Sequence, residues 1–255
     1  MKIATWNVNS LKVRLPHVSA WLDANDPDIL VLQEIKQPTA DFPDDEFIAT
    51  GYHAVANGQK TYNGVAIIAR QPPEDIVTDF PGFEDPQRRI LAATVGDVRV
   101  INLYVPNGSS VGSEKYSYKL AWLAALRGFL EDELAKHERL VVLGDFNIAP
   151  KDEDVYDPEK WGDAILCSPA ERAALNSILE LGLSDVFRNF EQPEKSFSWW
   201  DYRAAGFQRN AGLRIDLILC SEALAQYCTS SVVDKEPRAL ERPSDHAPVL
   251  ATFDL

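Results

Sequence analysis

Side chains that can bind metal or move protons recur where short apolar runs of this sequence begin or end. Five segments share this placement: Trp6-Asn7-Val8-Asn9, Gln33-Glu34, Tyr104-Val105-Pro106-Asn107, Gly144-Asp145-Phe146-Asn147 and Ser244-Asp245-His246. The first four follow an apolar run, whereas the fifth precedes the last run. Because the C-terminal end of one strand and the N-terminal end of an antiparallel neighbour share an edge, all of them can reach one rim of a sheet sandwich. Active sites are commonly built from loops at such a rim, so the pattern predicts a site there.

Each segment alone has an ordinary structural explanation. Asp145 and Asn147 can form a turn after a strand, Glu34 can be a solvated strand end, and Ser244-Asp245 can cap a turn. A lone histidine is more often structural than catalytic, and we interpret three of the four in that way: His17, His53 and His137. The combination of all the segments is what favours a functional site.

The donor types indicate a hard divalent cation. Carboxylate and amide oxygens suit Mg²⁺ or Mn²⁺, and Glu34 with Asn7 can hold such an ion. A zinc site would use several His or Cys ligands, whereas this chain has four histidines and no HxH or HExxH pattern. The sequence therefore predicts a Mg²⁺ or Mn²⁺ site.

The remaining polar residues fit phosphoryl chemistry, which needs neutralised phosphate oxygens, an activated water and help for the leaving oxygen. Asp145 can orient or deprotonate the water, and Asn147 and Tyr104 can donate hydrogen bonds to the phosphate. His246 can stabilise the transition state as an imidazolium if a carboxylate supports its other nitrogen. Asp216 is the candidate for that support.

The elements that must position these residues alternate along the whole chain. Apolar, β-branched runs predict eight strands: 2–6, 29–33, 64–69, 90–95, 98–104, 140–143, 215–220 and 249–253. Leu11 to Leu22 share a helical face, although Pro16 suggests that the regular helix begins near it, and Leu120 to Leu134 form a longer stripe. Ser168-Pro169-Ala170-Glu171 is a capping box for a third helix. With no repeat or linker, we expect one mixed α/β domain over residues 1–255.

Composition sets limits on the partners. The net charge of −14 works against nucleic acid binding, since a DNA-binding surface neutralises phosphates with Lys and Arg. The acids cluster away from the five segments, however, and the local electrostatic field matters more than the total charge.

No apolar stretch is long enough to cross a bilayer, and no secretory signal is expected after Met1-Lys2. The odd count of three cysteines predicts reduced thiols, and hence a cytoplasmic protein.

A series of motifs, in order along essentially the whole chain, resembles the exonuclease III family. It comprises Thr5-Trp6-Asn7-Val8-Asn9, Leu32-Gln33-Glu34, Asn63-Gly64-Val65-Ala66, Asn102-Leu103-Tyr104-Val105-Pro106-Asn107-Gly108, Gly144-Asp145-Phe146-Asn147-Ile148, Leu213-Arg214-Ile215-Asp216 and Pro243-Ser244-Asp245-His246-Ala247-Pro248. These are AP endonucleases of the endonuclease/exonuclease/phosphatase superfamily. The resemblance implies a four-layered α/β sandwich of two packed mixed sheets flanked by helices, with Mg²⁺ between the tops of the sheets. It also implies incision 5′ to abasic sites, 3′→5′ exonuclease activity and removal of 3′-blocking groups.

The resemblance also implies roles for individual residues. The implied metal ligands are Asn7, Glu34 and Asp245, with Asp145 and Asn147 available to a second ion. The implied catalytic set is Tyr104, Asp145, Asn147, Asp216 and His246. Two mechanisms stay open at this point, because either Asp145 or the Asp216–His246 pair can activate the water.

Substrate contacts are predicted at Asn107, Lys115, Trp200, Arg209 and His246. The loop Phe197-Ser198-Trp199-Trp200-Asp201-Tyr202-Arg203 can place an aromatic ring against an abasic gap, or pack it in the core. Arg214 can meet a phosphate or pair with Asp216. Leu166 is apolar where relatives can present a polar or basic residue, which leaves the balance of endonuclease and exonuclease activity open.

The sequence thus predicts a monomeric, Mg²⁺-dependent AP endonuclease that acts on double-stranded DNA containing abasic sites or 3′-blocked ends. One alternative keeps the scaffold but changes the substrate to an inositol phosphate or a phospholipid headgroup, which the net charge of −14 mildly favours. A second alternative is a catalytically silent interaction module. The intact acidic residues and His246 argue against it.

Overall fold

Fourteen strands and six α-helices, connected by short 3₁₀ turns, make up the chain in a computed structural model that describes residues 1–255. In chain order the strands are β1 (Lys2–Asn7), β2 (Ile29–Gln33), β3 (His53–Asn57), β4 (Val65–Ala69), β5 (Glu74–Val77), β6 (Ile90–Val95), β7 (Val98–Tyr104), β8 (Leu140–Asp145), β9 (Leu183–Asp185), β10 (Trp199–Trp200), β11 (Gly212–Leu213), β12 (Asp216–Ser221), β13 (Cys228–Val233) and β14 (Val249–Phe253). The helices are α1 (Leu11–Asn25), α2 (Asp44–Ala49), α3 (Glu114–Leu134), α4 (Pro158–Trp161), α5 (Pro169–Leu179) and α6 (Glu222–Ala225).

The strands form two six-stranded mixed sheets. Their orders are β13-β14-β1-β2-β4-β3 and β5-β6-β7-β8-β12-β9, and β10 with β11 forms a separate two-stranded ribbon. In the first sheet β1 is parallel to β2 and antiparallel to β14. In the second sheet β8 is parallel to β7 and antiparallel to β12. The ends of these central strands therefore meet on one rim.

Alternation along the strands divides the core into three layers of side chains. Ile3, Ile29 and Val31 point from the first sheet into a core that also contains Val100 and Val141 of the second sheet. The intervening residues point outwards because successive side chains of a strand face opposite sides. Those of the first sheet pack on α1, and those of the second pack on α3 and α5. The predicted four-layered α/β sandwich is confirmed.

A buried polar bridge joins the two sheets directly below the rim. The side chain of Asn102 on β7 donates from Nδ2 to the carbonyl oxygens of Leu32 and Ala66, at 2.9 and 2.8 Å. Its Oδ1 accepts a hydrogen bond from Gln33 Nε2 at 2.8 Å. Buried hydrogen-bond networks of this kind fix one arrangement of the core, and this one fixes the register of the two sheets beneath the site.

All eight predicted strands are present, but the outer strands of both sheets were not predicted. The strands β3, β13, β5 and β9 occupy the four edges, and most of their residues are half-buried or exposed. Edge strands bury fewer side chains than central strands, so they lack the continuous apolar runs on which the prediction depends.

The predicted start of the first helix near Pro16 is wrong. The helix α1 begins at Leu11 and contains Pro16 in its interior. A proline removes one helical hydrogen bond and crowds the carbonyl four residues earlier, here that of Lys12. Pro16 and Lys12 both lie on the exposed face, where water can solvate that carbonyl, so the helix continues. No helix of the structure combines the length and the apolar character that a membrane span requires.

Candidate active site

Strand register alone aligns three of the predicted catalytic side chains. On β7 and β8, Tyr104 pairs with Asp145, and on β12 Asp216 pairs with the same Asp145. The three residues therefore form a row across adjacent strands at one rim. From the facing sheet, Asn7 ends β1 and Glu34 follows β2, so both sheets contribute to the site.

The acidic centre of the site lies between the sheets. One ligand atom from each of Glu34, Asp145 and His246 falls within 4.8 Å of the others. Between the two carboxylates, Asn7 Nδ2 donates to Glu34 Oε1 and to Asp145 Oδ2, both at 2.9 Å. The carboxylates of Glu34 and Asp145 are the oxygen ligands that a hard divalent cation takes, and they lie close enough together to hold one ion.

Asn7 lies between the two predicted carboxylate ligands, and its own role as a metal ligand stays a prediction. Its amide nitrogen faces the two carboxylates, and its Oδ1 accepts a hydrogen bond from the backbone of Asn9 at 3.0 Å. In this arrangement Asn7 is a donor that spaces Glu34 from Asp145. Its oxygen is directed away from them and is already occupied.

Asp245 lines the same cavity, but it stands apart from the Glu34–Asp145 pair. Its Oδ1 accepts a hydrogen bond from Asn9 Nδ2 at 2.9 Å, and its Oδ2 accepts one from Trp199 Nε1 at 3.0 Å. Both oxygens thus have a protein donor. Its predicted role as a further ligand stays a prediction.

His246 is held by a carboxylate on one side and faces another on the opposite side. Its Nδ1 lies 2.9 Å from Asp216 Oδ2, and its Nε2 lies 3.7 Å from Asp145 Oδ2. Ser198 donates from its hydroxyl to Asp216 Oδ2 at 2.6 Å, which fixes the carboxylate. Burial by itself would lower the pKa of His246, but Asp216 and Asp145 outweigh it and raise the pKa to about 10. The ring is therefore an imidazolium at neutral pH.

Asp145 and Tyr104 are perturbed in the same direction. Burial raises the pKa of Asp145 to about 7, with Asp216 adding to the shift and the His246 cation opposing it. Burial, together with the charges of Glu34 and Asp145, raises the pKa of Tyr104 well above its ordinary value. Asp145 is thus poised to exchange a proton near neutral pH, while Tyr104 keeps its proton and remains a donor.

Three hydrogen bonds hold the backbone N–H and the side-chain amide of Asn147. Its backbone nitrogen donates to Asp145 Oδ1 at 2.9 Å, and its Nδ2 donates to the carbonyl oxygen of Val105 at 3.0 Å. Its Oδ1 accepts from Asn107 Nδ2 at 3.1 Å. The second N–H of the Asn147 amide stays available to a phosphate oxygen.

Several residues of this rim have a strained backbone. Asn9, Glu34 and Asn147 all have left-handed conformations, with φ of 45°, 51° and 48°. Such conformations are uncommon for residues other than glycine, and they persist where the surrounding structure enforces them, often at functional sites.

The cavity above these groups has a volume of about 350 Å³ and one apolar wall. The apolar lining comprises Trp161, Ile165, Leu166 and Trp199, which belong to one packed cluster, and the polar lining includes Glu34, Asp145 and His246. The predicted substrate contact of Trp200 is contradicted, because its side chain is fully buried against Phe207 and its Nε1 donates to Asn210. Adjacent residues of β10 face opposite sides, so Trp199 is the ring that reaches the cavity.

The other predicted substrate residues lie at different places. Asn107 is exposed and lines both this cavity and a neighbouring polar groove, which Lys115 also lines. Arg209 is exposed and donates to the carbonyl oxygen of Ala204. Both suggested roles of Arg214 are wrong: it is fully buried and pairs with Asp154 and Asp185, so it meets neither a phosphate nor Asp216.

Three residues that the sequence pattern did not assign belong to the site. Lys36 Nζ lies 2.9 Å from Glu34 Oε2 and also donates to Asn9, and Ser198 orients Asp216. Asn9 is the third residue. It lies two positions after the predicted ligand Asn7, and Lys36 lies two positions after the predicted ligand Glu34, so their proximity to the site could be inferred from the motifs. Ser198 belongs to a segment that shares no motif with Asp216, and the sequence carries no signal for their contact.

Comparison with known proteins gives one consistent family. The Endonuclease/Exonuclease/phosphatase family model matches residues 4–246. Exodeoxyribonuclease III of Haemophilus influenzae is 39% identical over 266 residues, covering 99% of this chain and 100% of that protein. A 3′-5′ exonuclease (NExo) from Neisseria meningitidis is 54% identical with a TM-score of 0.98, and both chains are covered completely.

Two further solved structures agree. A single-substitution variant of the 3′ phosphatase NExo from Neisseria, bound to product DNA hairpin, has 54% identity and a TM-score of 0.98 over the whole of both chains. An AP endonuclease from Archaeoglobus fulgidus has 41% identity and a TM-score of 0.96, again over the whole of both chains. The motif series, the two-sheet sandwich and the full-length relatives agree, and the chain belongs to the exonuclease III branch of the endonuclease/exonuclease/phosphatase family.

Proposed function

We propose that this chain is a Mg²⁺- or Mn²⁺-dependent DNA repair phosphodiesterase. It incises DNA 5′ to abasic sites, removes nucleotides in the 3′→5′ direction and clears 3′-blocking groups. The observation that carries the proposal is the convergence of Glu34, Asp145 and His246 within 4.8 Å, in a cavity that aromatic and aliphatic side chains also line. The acidic cluster suits a phosphate and its counter-cation, and the apolar wall suits an exposed sugar.

The residues present fit a divalent cation. Glu34 and Asp145 would hold it, with Asp245 and Asn147 beside them in the same cavity. When bound, the ion supplies positive charge to the phosphate oxygens. The Lys36 ammonium, 2.9 Å from Glu34 Oε2, is a cation that this carboxylate already attracts within the protein.

The side chains of the site have different roles in proton transfer and charge stabilisation. Asp145 lies between Asn7 and the His246 ring, where its carboxylate can orient or deprotonate the attacking water. His246 is already protonated, so it stabilises the charge that develops on the phosphate instead of acting as the base. Asp216 keeps the imidazolium oriented through Nδ1. Tyr104 and Asn147 donate to the phosphate oxygens.

The relatives support DNA as the substrate class. They include exodeoxyribonucleases and AP endonucleases, and one solved relative is bound to a product DNA hairpin. The alternative of an inositol phosphate or phospholipid substrate is not favoured by any of them. Exposed Lys115 and Arg209 are available for phosphates that flank the cleaved bond.

We also propose that the enzyme acts as a monomer in the cytoplasm. Its three cysteines are free thiols, which fits a reducing compartment.

A substrate panel tests the proposal. Duplexes with one abasic site or one 3′-phosphate, and an inositol phosphate, are incubated with Mg²⁺ and then with excess EDTA. We expect cleavage of both duplexes in Mg²⁺, none in EDTA, and no hydrolysis of the inositol phosphate. Asp145→Asn should lose about 10²–10⁴-fold in turnover, whereas the exposed control Glu131→Gln should retain it. Brisk inositol phosphate hydrolysis without DNA cleavage would refute the proposal.

A further inference from the structure

A completely buried ion pair lies directly beneath the active site. Lys119 of α3 and Glu171 of α5 have no exposed side-chain surface, and Lys119 Nζ lies 2.5 Å from Glu171 Oε1. Neither residue lines the cavity, and the hydrogen bonds of Lys119 go to Asn107, Asn147 and Glu171. Lys119 and Glu171 therefore have no direct part in the proposed proton chemistry.

The Lys119 ammonium binds the backbone of two site residues. It donates to the carbonyl oxygen of Asn147 at 2.7 Å and to that of Asn107 at 3.2 Å. An ammonium has three donors, so these two bonds and the bond to Glu171 use all of them. Lys119 thus fixes the loop after β7 to the loop after β8 at the positions of two predicted phosphate contacts.

The Glu171 carboxylate extends the connection to the apolar wall. Its Oε1 accepts from the backbone nitrogen of Leu166, and its Oε2 accepts from the backbone nitrogen of Ser168, both at 3.1 Å. Leu166 lines the cavity and has a left-handed backbone with φ of 73°. One ion pair therefore holds three separate segments of the site in a fixed relation.

Stability alone does not account for such a pair. Removing two charges from water is costly, and well-packed neutral residues often replace a buried ion pair with little or no loss of stability. Burial lowers the pKa of Lys119, and the nearby Glu171 charge opposes that shift. The cost of burial is offset by hydrogen bonds to the loops that carry Asn107, Asn147 and Leu166, and by the capping box that Glu171 forms with Ser168 at the start of α5.

We infer that Lys119 is a positioning residue, and that with Glu171 it sets the relative placement of Asn107, Asn147 and Leu166 for phosphodiester hydrolysis. This inference rests on the proposed function. Misplacing groups by about 1 Å is enough to lower turnover by about 100-fold. Loss of the pair should therefore lower kcat more than it changes KM.

The test compares two buried ion pairs that share α3. In Lys119→Met with Glu171→Gln both charges are removed together, so neither is left buried alone. The matched control is Arg99→Met with Glu133→Gln, which removes a pair of similar burial near the other end of α3. The melting temperature is measured for each protein. The values of kcat and KM are measured with a DNA substrate of the panel that the wild type cleaves.

We expect the Lys119 double variant to melt within about 5 °C of the wild type and to lose about 10–100-fold in kcat. The control should change the melting temperature by a similar amount and keep kcat. The single variant Lys119→Met should melt about 10 °C lower, because it leaves Glu171 buried without a partner.

Several outcomes would overturn the inference. Wild-type kcat in the Lys119 double variant, or an equal kcat loss in the control, would show that the pair is merely structural. If that double variant does not fold, Lys119→Gln with Glu171→Gln keeps polar groups in the pocket and takes its place. Failure of both to fold would assign the pair to stability alone. A wild type that cleaves no DNA substrate would instead refute the proposed function.

Discussion

The imidazole of His246 is hydrogen-bonded through Nδ1 to Asp216, at 2.9 Å from Oδ2, and joins the second sheet to the segment that leads into the first. Asp216 begins β12 in the second sheet, and His246 lies three residues before β14 in the first. Their contact therefore spans the interface between the sheets. It directs the second ring nitrogen, Nε2, towards Asp145.

Asp216→Asn should lower both the pKa of His246 and the turnover. The substitution removes a charge that helps to raise this pKa to about 10, while burial, which lowers it, remains. An NMR titration of the ring in EDTA should show the wild-type imidazolium surviving well above pH 7 and the variant titrating at lower pH. Turnover should fall about 10²–10⁴-fold. An unchanged titration midpoint would show that Asp216 does not support the ring.

The same pair predicts a pH dependence of stability in EDTA. The folded pKa of His246, about 10, exceeds its ordinary value of 6.5, so its protonation stabilises the fold fully below pH 6.5. That contribution is lost as the pH rises through about 10. Urea unfolding between pH 6 and 10 should therefore show a declining free energy of unfolding, with a smaller decline in His246→Gln. Equal declines in the two proteins would contradict the assignment.

Glu34→Gln should weaken Mg²⁺ binding by about tenfold or more, because a neutral amide does not replace the charge of a carboxylate ligand. Calorimetric titration of the metal without DNA measures this directly. Glu131→Gln removes an exposed carboxylate of α3 and serves as the control. Equal Mg²⁺ affinity in the two variants would remove Glu34 from the metal site.

Trp199→Ala and Trp200→Ala should separate substrate contact from packing. Trp199 lines the cavity, so its truncation should raise KM or lower kcat on abasic DNA with a modest change in stability. Trp200 is fully buried, so its truncation should cost about 3–5 kcal/mol of unfolding free energy. Kinetics and urea unfolding of both variants test the assignment. A reversed pattern would restore Trp200 as the substrate contact.

The central part of the fold was predictable because central strands bury both faces and therefore read as continuous apolar runs. Strand β2 was predicted with its observed bounds, Ile29–Gln33, and every residue of it is buried. Strand β5 is an edge strand with no buried residue in Glu74–Val77, so it lacks the continuous apolar run that predicts a central strand. The assignment of residues 1–255 to a single domain stays a prediction.

Site residues could be predicted from the sequence where their chemical type indicates the function. They could not be predicted where the function depends on which face of a strand a side chain occupies, or on contacts between residues far apart in the sequence. Glu34, Asp145 and His246 follow from carboxylate and imidazole chemistry at strand ends, and the fold brings them together. The choice between Trp199 and Trp200 depends on which face of a two-residue strand meets the cavity. Likewise, Lys119 and Glu171 lie 52 residues apart, and no local pattern joins them.

We propose that Glu34 and Asp145 form the metal centre of this nuclease. Anomalous diffraction from crystals soaked in Mn²⁺ tests it most directly, with Glu34→Gln crystals soaked in parallel. We predict an anomalous peak at coordination distance, about 2.1 Å, from carboxylate oxygens of the Glu34–Asp145 centre. The peak should weaken or vanish in the variant. A peak located elsewhere, or one of equal height in the variant, would contradict the account.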